Sequence, residues 1–265
     1  MQNHWRLILD EKHNGYHNMA VDESLLFHFS EQKMPTLRLY GWHKPWVSLG
    51  YSQKAFEVVR NQKIPIVRRI SGGAAILHDK ELTYSLVCSL ADLNLPYKVK
   101  PAYCKLAGFL KDFYSSLGLE AFFAQDLGKK ELGTYGNFCF SSWQHFDLII
   151  SGKKIGGNAQ RRKKDIIFQQ GSIPQQIDSG LIKATFKNIS HCLDRATCLD
   201  SLLKEKTDFD DLKGKLADSF KNNFNIQFVK GNLSEKENKT ADFLFENKYQ
   251  NIVWNLKHEK AALVQ

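Results

Sequence analysis

The stretch Arg68–Ser85, which reads RRISGGAAILHDKELTYS, constrains the fold of this 265-residue chain most strongly. A short β-branched run leads into it, a second extended run follows its glycine pair, and the alternation over Leu82–Val87 predicts a third strand. The pair Gly72–Gly73 can adopt positive φ and lets backbone N–H groups approach a ligand closely. With Arg68 and Arg69 beside it, such a turn suits an anionic or strongly polarised group. An ordinary hairpin with exposed arginines is the alternative explanation.

Segments on either side of this stretch predict further strands and amphipathic helices. Asn18–Phe27 has helical spacing, with Asn18 as the expected N-cap. Tyr103–Leu117 is helical with apolar residues on one side, and Phe146–Pro174 is typical of an antiparallel meander with a turn at Ser151–Lys153. We therefore predict one α+β domain over residues 1–265. It has a mixed or antiparallel sheet backed by helices and a helical C-terminal part from about residue 178.

The charge of the chain favours an acidic partner. Lysine and arginine number 37 against 28 aspartates and glutamates, a formal net charge of +9, which suits nucleic acid, a membrane surface or an acidic protein. The charge is dispersed, however, and no zinc-finger, RRM or KH pattern is present. No apolar run is long enough to span a membrane, and the N-terminal residues lack the apolar core of a signal peptide. We expect a cytoplasmic protein, and an acidic protein partner remains open.

One cysteine differs from the other four in its surroundings. An odd number of cysteines without a C-x-x-C pair predicts free thiols in a reducing compartment, and no cluster has the spacing of a structural zinc site. Most of these cysteines sit in strand or helix patterns, where a small buried hydrophobe is the expected role. Cys139 instead follows the glycine-rich, polar residues 125–137, which indicates a loop or strand edge. The five are Cys88, Cys104, Cys139, Cys192 and Cys198.

Lys154 is the natural candidate to activate Cys139. A loop cysteine becomes a nucleophile only if its thiolate is stabilised, and a nearby cation can do so. If the segments around the predicted Ser151–Lys153 turn form adjoining strands, both side chains could meet in one cleft. The pair Gly156–Gly157 would again let a backbone approach a ligand. The alternative is that Lys154 is an exposed hairpin lysine.

Two histidines are candidates for acid–base or hydrogen-bonding work. His78 and His145 carry imidazoles that exchange protons near neutral pH, although a surface or structural role is the alternative for both. Neither G-x-x-x-x-G-K-[ST] nor G-x-G-x-x-G is present, so the chain lacks those nucleotide-binding fingerprints. We expect no cofactor and no metal.

Several motifs, taken in order, resemble the lipoate/biotin protein ligase and octanoyltransferase superfamily. The similarity extends from about Trp5 to Asn255, and Lys248-Tyr249 with Trp254-Asn255 resembles the C-terminal motif of the group. One departure is Ala74, where these families often have glycine or arginine. The other motifs are Asn18–Glu23 (NMAVDE), Leu37–Trp42 (LRLYGW), Arg68–Ser85 and Gly152–Arg162 (GKKIGGNAQRR).

The resemblance implies a fold and a site. The fold would be a mixed, largely antiparallel sheet flanked by helices, as in the catalytic domain of biotin protein ligase and class II synthetases. A cysteine shortly before the lysine-motif strand is similar to the LipM-type octanoyltransferase branch. By that resemblance Cys139 is the nucleophile and Lys154 the cation that stabilises its thiolate. The implied substrate-binding residues, expected in one cleft with an apolar tunnel, are Arg69, Gly72, Gly73, His78, Gly157 and Ala159.

The resemblance also implies a reaction. It is the transfer of octanoyl from octanoyl-acyl carrier protein to a lysine of a lipoyl domain, with the glycine-cleavage H protein as the expected acceptor. Both partners are typically acidic, which gives the net charge a use in steering. We expect a monomer with no nucleic-acid or membrane partner. The alternative is an ATP-dependent lipoate–protein ligase, many of which carry an additional C-terminal domain. A non-catalytic RNA- or protein-binding relative is a third class.

Overall fold

The computed structural model describes residues 4–60, 63–128, 138–141, 143–189 and 193–257. Residues 129–137 of the glycine-rich segment predicted at 125–137, and Cys192, lie outside these residues. The strands are β1 (His4–His13), β2 (Thr36–Trp42), β3 (Trp46–Leu49), β4 (Ile66–Arg68), β5 (Ile76–His78), β6 (Glu81–Ser89), β7 (Phe122–Phe123), β8 (Leu148–Ile150), β9 (Lys153–Ile155), β10 (Gly157–Lys163), β11 (Ile166–Pro174), β12 (Ala196–Thr197) and β13 (Gln227–Lys230). The α-helices are α1 (Gly15–Gln32), α2 (Ala55–Val58), α3 (Val99–Ser116), α4 (Ser179–Thr185), α5 (Leu199–Leu202), α6 (Phe209–Phe224) and α7 (Glu235–Leu244).

A six-stranded sheet in the order β10-β11-β6-β2-β1-β13 forms the centre of the molecule. β1 runs parallel to both β2 and β13, whereas the β10–β11, β11–β6 and β6–β2 pairs are antiparallel. No helix among the described residues is long and apolar enough to cross a bilayer. The prediction of a mixed, largely antiparallel sheet flanked by helices is confirmed.

Helices cover both faces of the sheet, which explains why β6 is buried over almost its whole length. Tyr84 points to one face and packs edge-on against Phe109 of α3, with ring centroids 5.3 Å apart. Val87 belongs to the cluster on the other face, together with Val21 and Leu25 of α1. Successive side chains of a strand point to opposite faces, so a strand covered on both sides is buried at consecutive positions.

The N-cap of helix α1 lies four residues before the predicted one. Asn14 is the N-cap, and its side chain accepts a hydrogen bond from the His17 backbone N–H. Asn18 lies inside the helix, where its amide donates to the Gly41 carbonyl and accepts from the buried Arg38 guanidinium. The prediction that Asn18 caps the helix is wrong, because this side chain serves a long-range contact.

The Arg68–Ser85 stretch is not a simple hairpin. β3 lies between β4 and β5, parallel to the first and antiparallel to the second, so the strands flanking the glycine pair do not pair with each other. Arg68 and Arg69 are both buried. The alternative of a hairpin with exposed arginines is therefore wrong: the arginine side chains are buried, while Gly72 and Gly73 of the turn are exposed.

The predicted meander is divided between two sheets. β8 and β9 form an antiparallel hairpin around Ser151 and Gly152, which both have positive φ. β10 and β11 pair in the central sheet. The chain changes sheets at Gly156, where φ is +72° and an added Cβ would lie 2.1 Å from the Ser172 carbonyl oxygen. This crossing brings the small sheet and the central sheet together at one place.

The C-terminal part returns to the glycine-rich stretch. Arg68 donates to the carbonyls of Trp254 and Asn255, and the Asn255 side chain accepts from the Arg68 backbone N–H. Further bonds from the Arg68 guanidinium reach the carbonyls of Gly50 and Gln53. All of these partners are backbone or amide oxygens. Since they lie in both segments, Arg68 links the C-terminal segment to the loop after β3.

Candidate active site

Cys139 lies directly beside the glycine-rich stretch. It opens a short 3-10 turn, and its backbone N–H donates to the Ala75 carbonyl at 2.9 Å. The preceding residue, Phe138, forms a parallel bridge with Ala75 and packs on Phe186 with ring centroids 4.5 Å apart. These contacts fix the backbone while the Cys139 side chain stays half-buried. The thiol is therefore held in place and reachable.

Lys154 lies beneath Cys139 and is only 3% exposed. Its ammonium donates to the Cys139 carbonyl at 2.9 Å and forms an ion pair with Asp147 at 2.7 Å. Burial by itself lowers the pKa of Lys154, but the charges of Cys139 and Asp147 and hydrogen bonds to both raise it above its ordinary value. Lys154 is therefore held as a cation, and the alternative of an exposed hairpin lysine is wrong.

Asp147 was not found by the sequence analysis. It precedes β8 and is buried, and its carboxylate also accepts from the backbone N–H of Gln144 at 2.8 Å. A buried ammonium needs such a counter-charge because isolated charges are costly inside a protein. An acidic residue seven positions before the lysine, across a tight hairpin, is the sequence signal that could have indicated the pair.

Gly157 forms the surface against which the thiol lies. A Cβ added to Gly157 would be 2.6 Å from Cys139 Sγ, closer than two such atoms can approach. Gly157 opens β10 of the central sheet, so the change of sheets at Gly156 places it against the cysteine. Only glycine leaves the Sγ in its observed position.

Arg69 holds the glycine turn from inside. Its guanidinium donates to the carbonyls of Gly72 and Ala74, both at 2.8 Å, and to Ser48 O and Oγ. Burial lowers the pKa of Arg69 to about 10, although interaction with Cys139 opposes this. Gly73 has φ of +90°, and a Cβ there would lie 3.1 Å from Arg69 Nη2. The backbone of the glycine turn therefore lies directly against the Arg69 guanidinium.

His78 is oriented on both sides of its ring. Its Nδ1 lies 2.7 Å from a Glu81 oxygen and its Nε2 lies 2.7 Å from Ser48 Oγ. The ring also stacks on Trp42, with centroids 4.0 Å apart and an interplanar angle of 10°. Glu81 accepts in addition from the hydroxyls of Thr83 and Ser172. Neither Ser48 nor Glu81 was found by the sequence analysis.

One cavity, with about 450 Å³ of empty space that includes open solvent, joins these groups. Lys154 lies behind the wall under Cys139, Gly72 is open to space on its Cβ side, and His145 is not part of the lining. The apolar part of the lining comes from Met19, Tyr40, Trp42 and Ile76. The predicted residues on its walls are Arg69, Gly73, His78, Cys139, Gly157 and Ala159.

The fold of this chain is similar to that of solved lipoate protein ligases. The chain superposes on protein Ta0514 from T. acidophilum with bound lipoic acid at a TM-score of 0.79 and 25% identity, covering 97% of this chain and 100% of that one. It superposes on lipoate-protein ligase A bound with ATP at a TM-score of 0.80 and 24% identity, covering 98% and 100%. The fold therefore places the chain in the class of proteins that are built like these lipoate protein ligases.

Within that class, residues 14–221 match the family profile of the lipoyl protein ligase A/B catalytic domain, and the chain belongs to this family. The predicted resemblance is confirmed. Octanoyltransferase LipM of Bacillus subtilis is 32% identical over 272 residues, covering 96% of this chain and 98% of the relative. Octanoyltransferase LipM of Geobacillus kaustophilus is 33% identical over 276 residues, with the same coverage.

Proposed function

We propose that this chain is an octanoyltransferase that carries the acyl group as a thioester on Cys139. The donor is octanoyl-acyl carrier protein and the acceptor is a lysine of a lipoyl domain, with the glycine-cleavage H protein as the expected one. The observation that carries the proposal is the half-buried thiol on the wall of the cavity, with the buried Lys154 ammonium beneath it. The names of the LipM relatives agree with it.

The first half-reaction loads the cysteine. The Cys139 thiolate attacks the carbonyl carbon of the carrier thioester, a new S–C bond forms, and the bond to the carrier sulfur breaks. The carrier leaves as a thiolate and takes up a proton. The Lys154 cation favours the thiolate of Cys139 over the thiol, because an opposite charge nearby stabilises the charged form. Asp147 keeps Lys154 protonated and in position.

The cavity would hold the acyl chain and the developing oxyanion. Met19, Trp42 and Ile76 give it an apolar lining for a saturated eight-carbon chain. Backbone N–H groups near Gly72–Gly73 or Gly157–Ala159 would donate to the tetrahedral oxygen, as in an oxyanion hole. The second half-reaction then transfers octanoyl to the acceptor lysine and frees Cys139.

The partners follow from charge. We expect both partner proteins to be acidic. A net charge of +9 on this chain would then speed their association, more strongly at low salt concentration. We propose that the enzyme acts as a monomer in the cytoplasm, without nucleic acid or membrane.

The proposal is tested with purified components. Incubation with octanoyl-carrier protein and apo-H protein, without ATP, should give an octanoylated lysine and a mass increment on the enzyme. Modification that requires ATP and free acid would support a lipoate–protein ligase instead. A non-catalytic relative would give neither product, and salt-sensitive RNA binding would support that class.

We expect Gly157→Ala to slow acyl-enzyme formation strongly while the protein still folds. The added Cβ would meet Cys139 Sγ at 2.6 Å, so the thiol must rotate out of its position. A displacement of about 1 Å can cost on the order of 10²-fold in rate, measured here as acyl-enzyme formation by mass spectrometry.

Gly72→Ala is the matched control, because no atom lies within 4 Å of a Cβ added there. It should acylate at nearly the wild-type rate. If Gly157→Ala also acylates at nearly the wild-type rate, the position of Cys139 Sγ against Gly157 does not matter for the reaction.

A further inference from the structure

The second half-reaction needs a proton acceptor that the Cys139–Lys154 pair does not supply. A lysine side chain reaches the site as an ammonium and must become a neutral amine before it can attack. Lys154 is already an ammonium, and the ion pair with Asp147 at 2.7 Å keeps its pKa raised. Once Cys139 is acylated, it has no thiolate to offer. The acceptor must therefore be another group in the cavity.

His78 carries the one imidazole among the described side chains of the cavity lining, and a neutral ring nitrogen can accept a proton. The other titratable groups there are Tyr40, Arg69 and Cys139. The pKa of Tyr40 is raised well above its usual value by burial and by Asp22, and Arg69 stays protonated. An imidazole is also the side chain that most often serves as a general base.

The hydrogen bonds around His78 set its tautomer. Glu81 accepts from two hydroxyls, Thr83 and Ser172, so it is a carboxylate, and His78 Nδ1–H must donate to it. Arg69 donates to Ser48 Oγ at 3.1 Å, which leaves the Ser48 hydroxyl proton directed at His78 Nε2. The Nε2 lone pair is therefore available to receive a proton.

The surroundings would also stabilise the protonated ring. Glu81 lies 2.7 Å from Nδ1, and the face of Trp42 stacks at 4.0 Å, where an aromatic quadrupole attracts a cation. Arg69 opposes this charge but is separated from the ring by Ser48. Ser48 lines the cavity, so its hydroxyl could pass a proton from an amine bound there to the ring.

We propose that Ser48, His78 and Glu81 form a proton relay that deprotonates the acceptor lysine in the second half-reaction, an inference that rests on the proposed function. The ammonium gives a proton to Ser48 Oγ as the Ser48 proton passes to His78 Nε2. The amine attacks the thioester carbon, the N–C bond forms and the S–C bond to Cys139 breaks. The second amine proton goes to the departing Cys139 sulfur. Products are the amide, the thiol and the His78 imidazolium, which then returns its proton to solvent.

The test separates the two half-reactions. The octanoyl-enzyme is formed with octanoyl-carrier protein, isolated, and then discharged either by the apo-H protein lysine or by hydroxylamine, which is neutral at pH 7. His78→Asn and Ser48→Ala should slow discharge by the lysine about 10²-fold or more, the usual contribution of a general base. Acylation and discharge by hydroxylamine should fall far less, because neither step needs a proton removed from an ammonium. His145→Asn, outside the cavity lining, should leave all three rates unchanged.

Other outcomes would overturn the inference. Normal lysine discharge in both variants would show that the relay is not needed. An equal fall with both nucleophiles, or failure of both variants to acylate, would assign these residues to shaping the cavity. If the wild-type protein forms no acyl-enzyme, the proposed function fails as well, which distinguishes that failure from the others.

Discussion

Cys139→Ala is expected to abolish both the acyl-enzyme mass increment and octanoyl transfer. The variant has no sulfur to accept the acyl group, and the acceptor lysine would then have to attack the carrier thioester without an intermediate. Removal of a covalent nucleophile from a hydrolase triad costs on the order of 10⁶-fold in rate, and we expect an effect of that order. Single-turnover transfer from labelled octanoyl-carrier protein measures it.

Cys104→Ala is the matched control for this substitution. Cys104 is also half-buried but lies on α3, outside the cavity lining. It should transfer octanoate normally and still show the mass increment. If Cys139→Ala transfers at nearly the wild-type rate, the covalent mechanism is wrong, and dependence on ATP and free octanoate becomes the next measurement.

Local patterns were sufficient for the elements that carry the site. Alternation over Leu82–Val87 predicted the core of β6, and one-sided apolar spacing predicted most of α3. The Ser151–Lys153 turn was predicted correctly, because positive φ at Ser151 and Gly152 is a property of those few residues alone. Such signals depend on neighbours in sequence, which is why they can be read from it.

Contacts between distant residues were not predictable in the same way. β3 inserts between β4 and β5, so Ser48 bonds to His78 thirty positions away, and no local pattern indicates that pairing. Asparagine is a common helix N-cap, yet the Asn18 side chain instead accepts a hydrogen bond from the buried Arg38 guanidinium beside α1. In both cases tertiary packing decides what a polar side chain binds.

The division of the meander explains how the candidate site is assembled. Pairing of β8 with β9 and of β10 with β11 agreed with the prediction, but the two hairpins belong to different sheets. The change of sheets at Gly156 places the Lys154 ammonium against the Cys139 carbonyl and Gly157 against the Cys139 thiol. A continuous meander would place Lys154 and Gly157 on one sheet and would leave no gap for the thiol.

Lys154→Met should damage both stability and chemistry, and a second variant separates the two. The single change leaves Asp147 as a buried carboxylate without its cation, and breaking such a pair costs about 3–5 kcal/mol. It also removes the cation beneath Cys139. Acyl-enzyme formation should fall about 10²-fold or more, and alkylation of Cys139 should require higher pH. Lys153→Met, an exposed change on the same hairpin, should have neither effect.

Lys154→Met combined with Asp147→Asn removes both charges of the pair. The neutral amide no longer carries a buried charge, so the free energy of unfolding, measured with denaturant, should recover most of the loss. The thiolate still lacks its cation, so acylation should remain slow and the alkylation profile displaced. If the double variant regains acylation along with stability, Lys154 serves the fold alone. Stabilisation of the thiolate would then belong to Arg69, the other buried cation at the cavity.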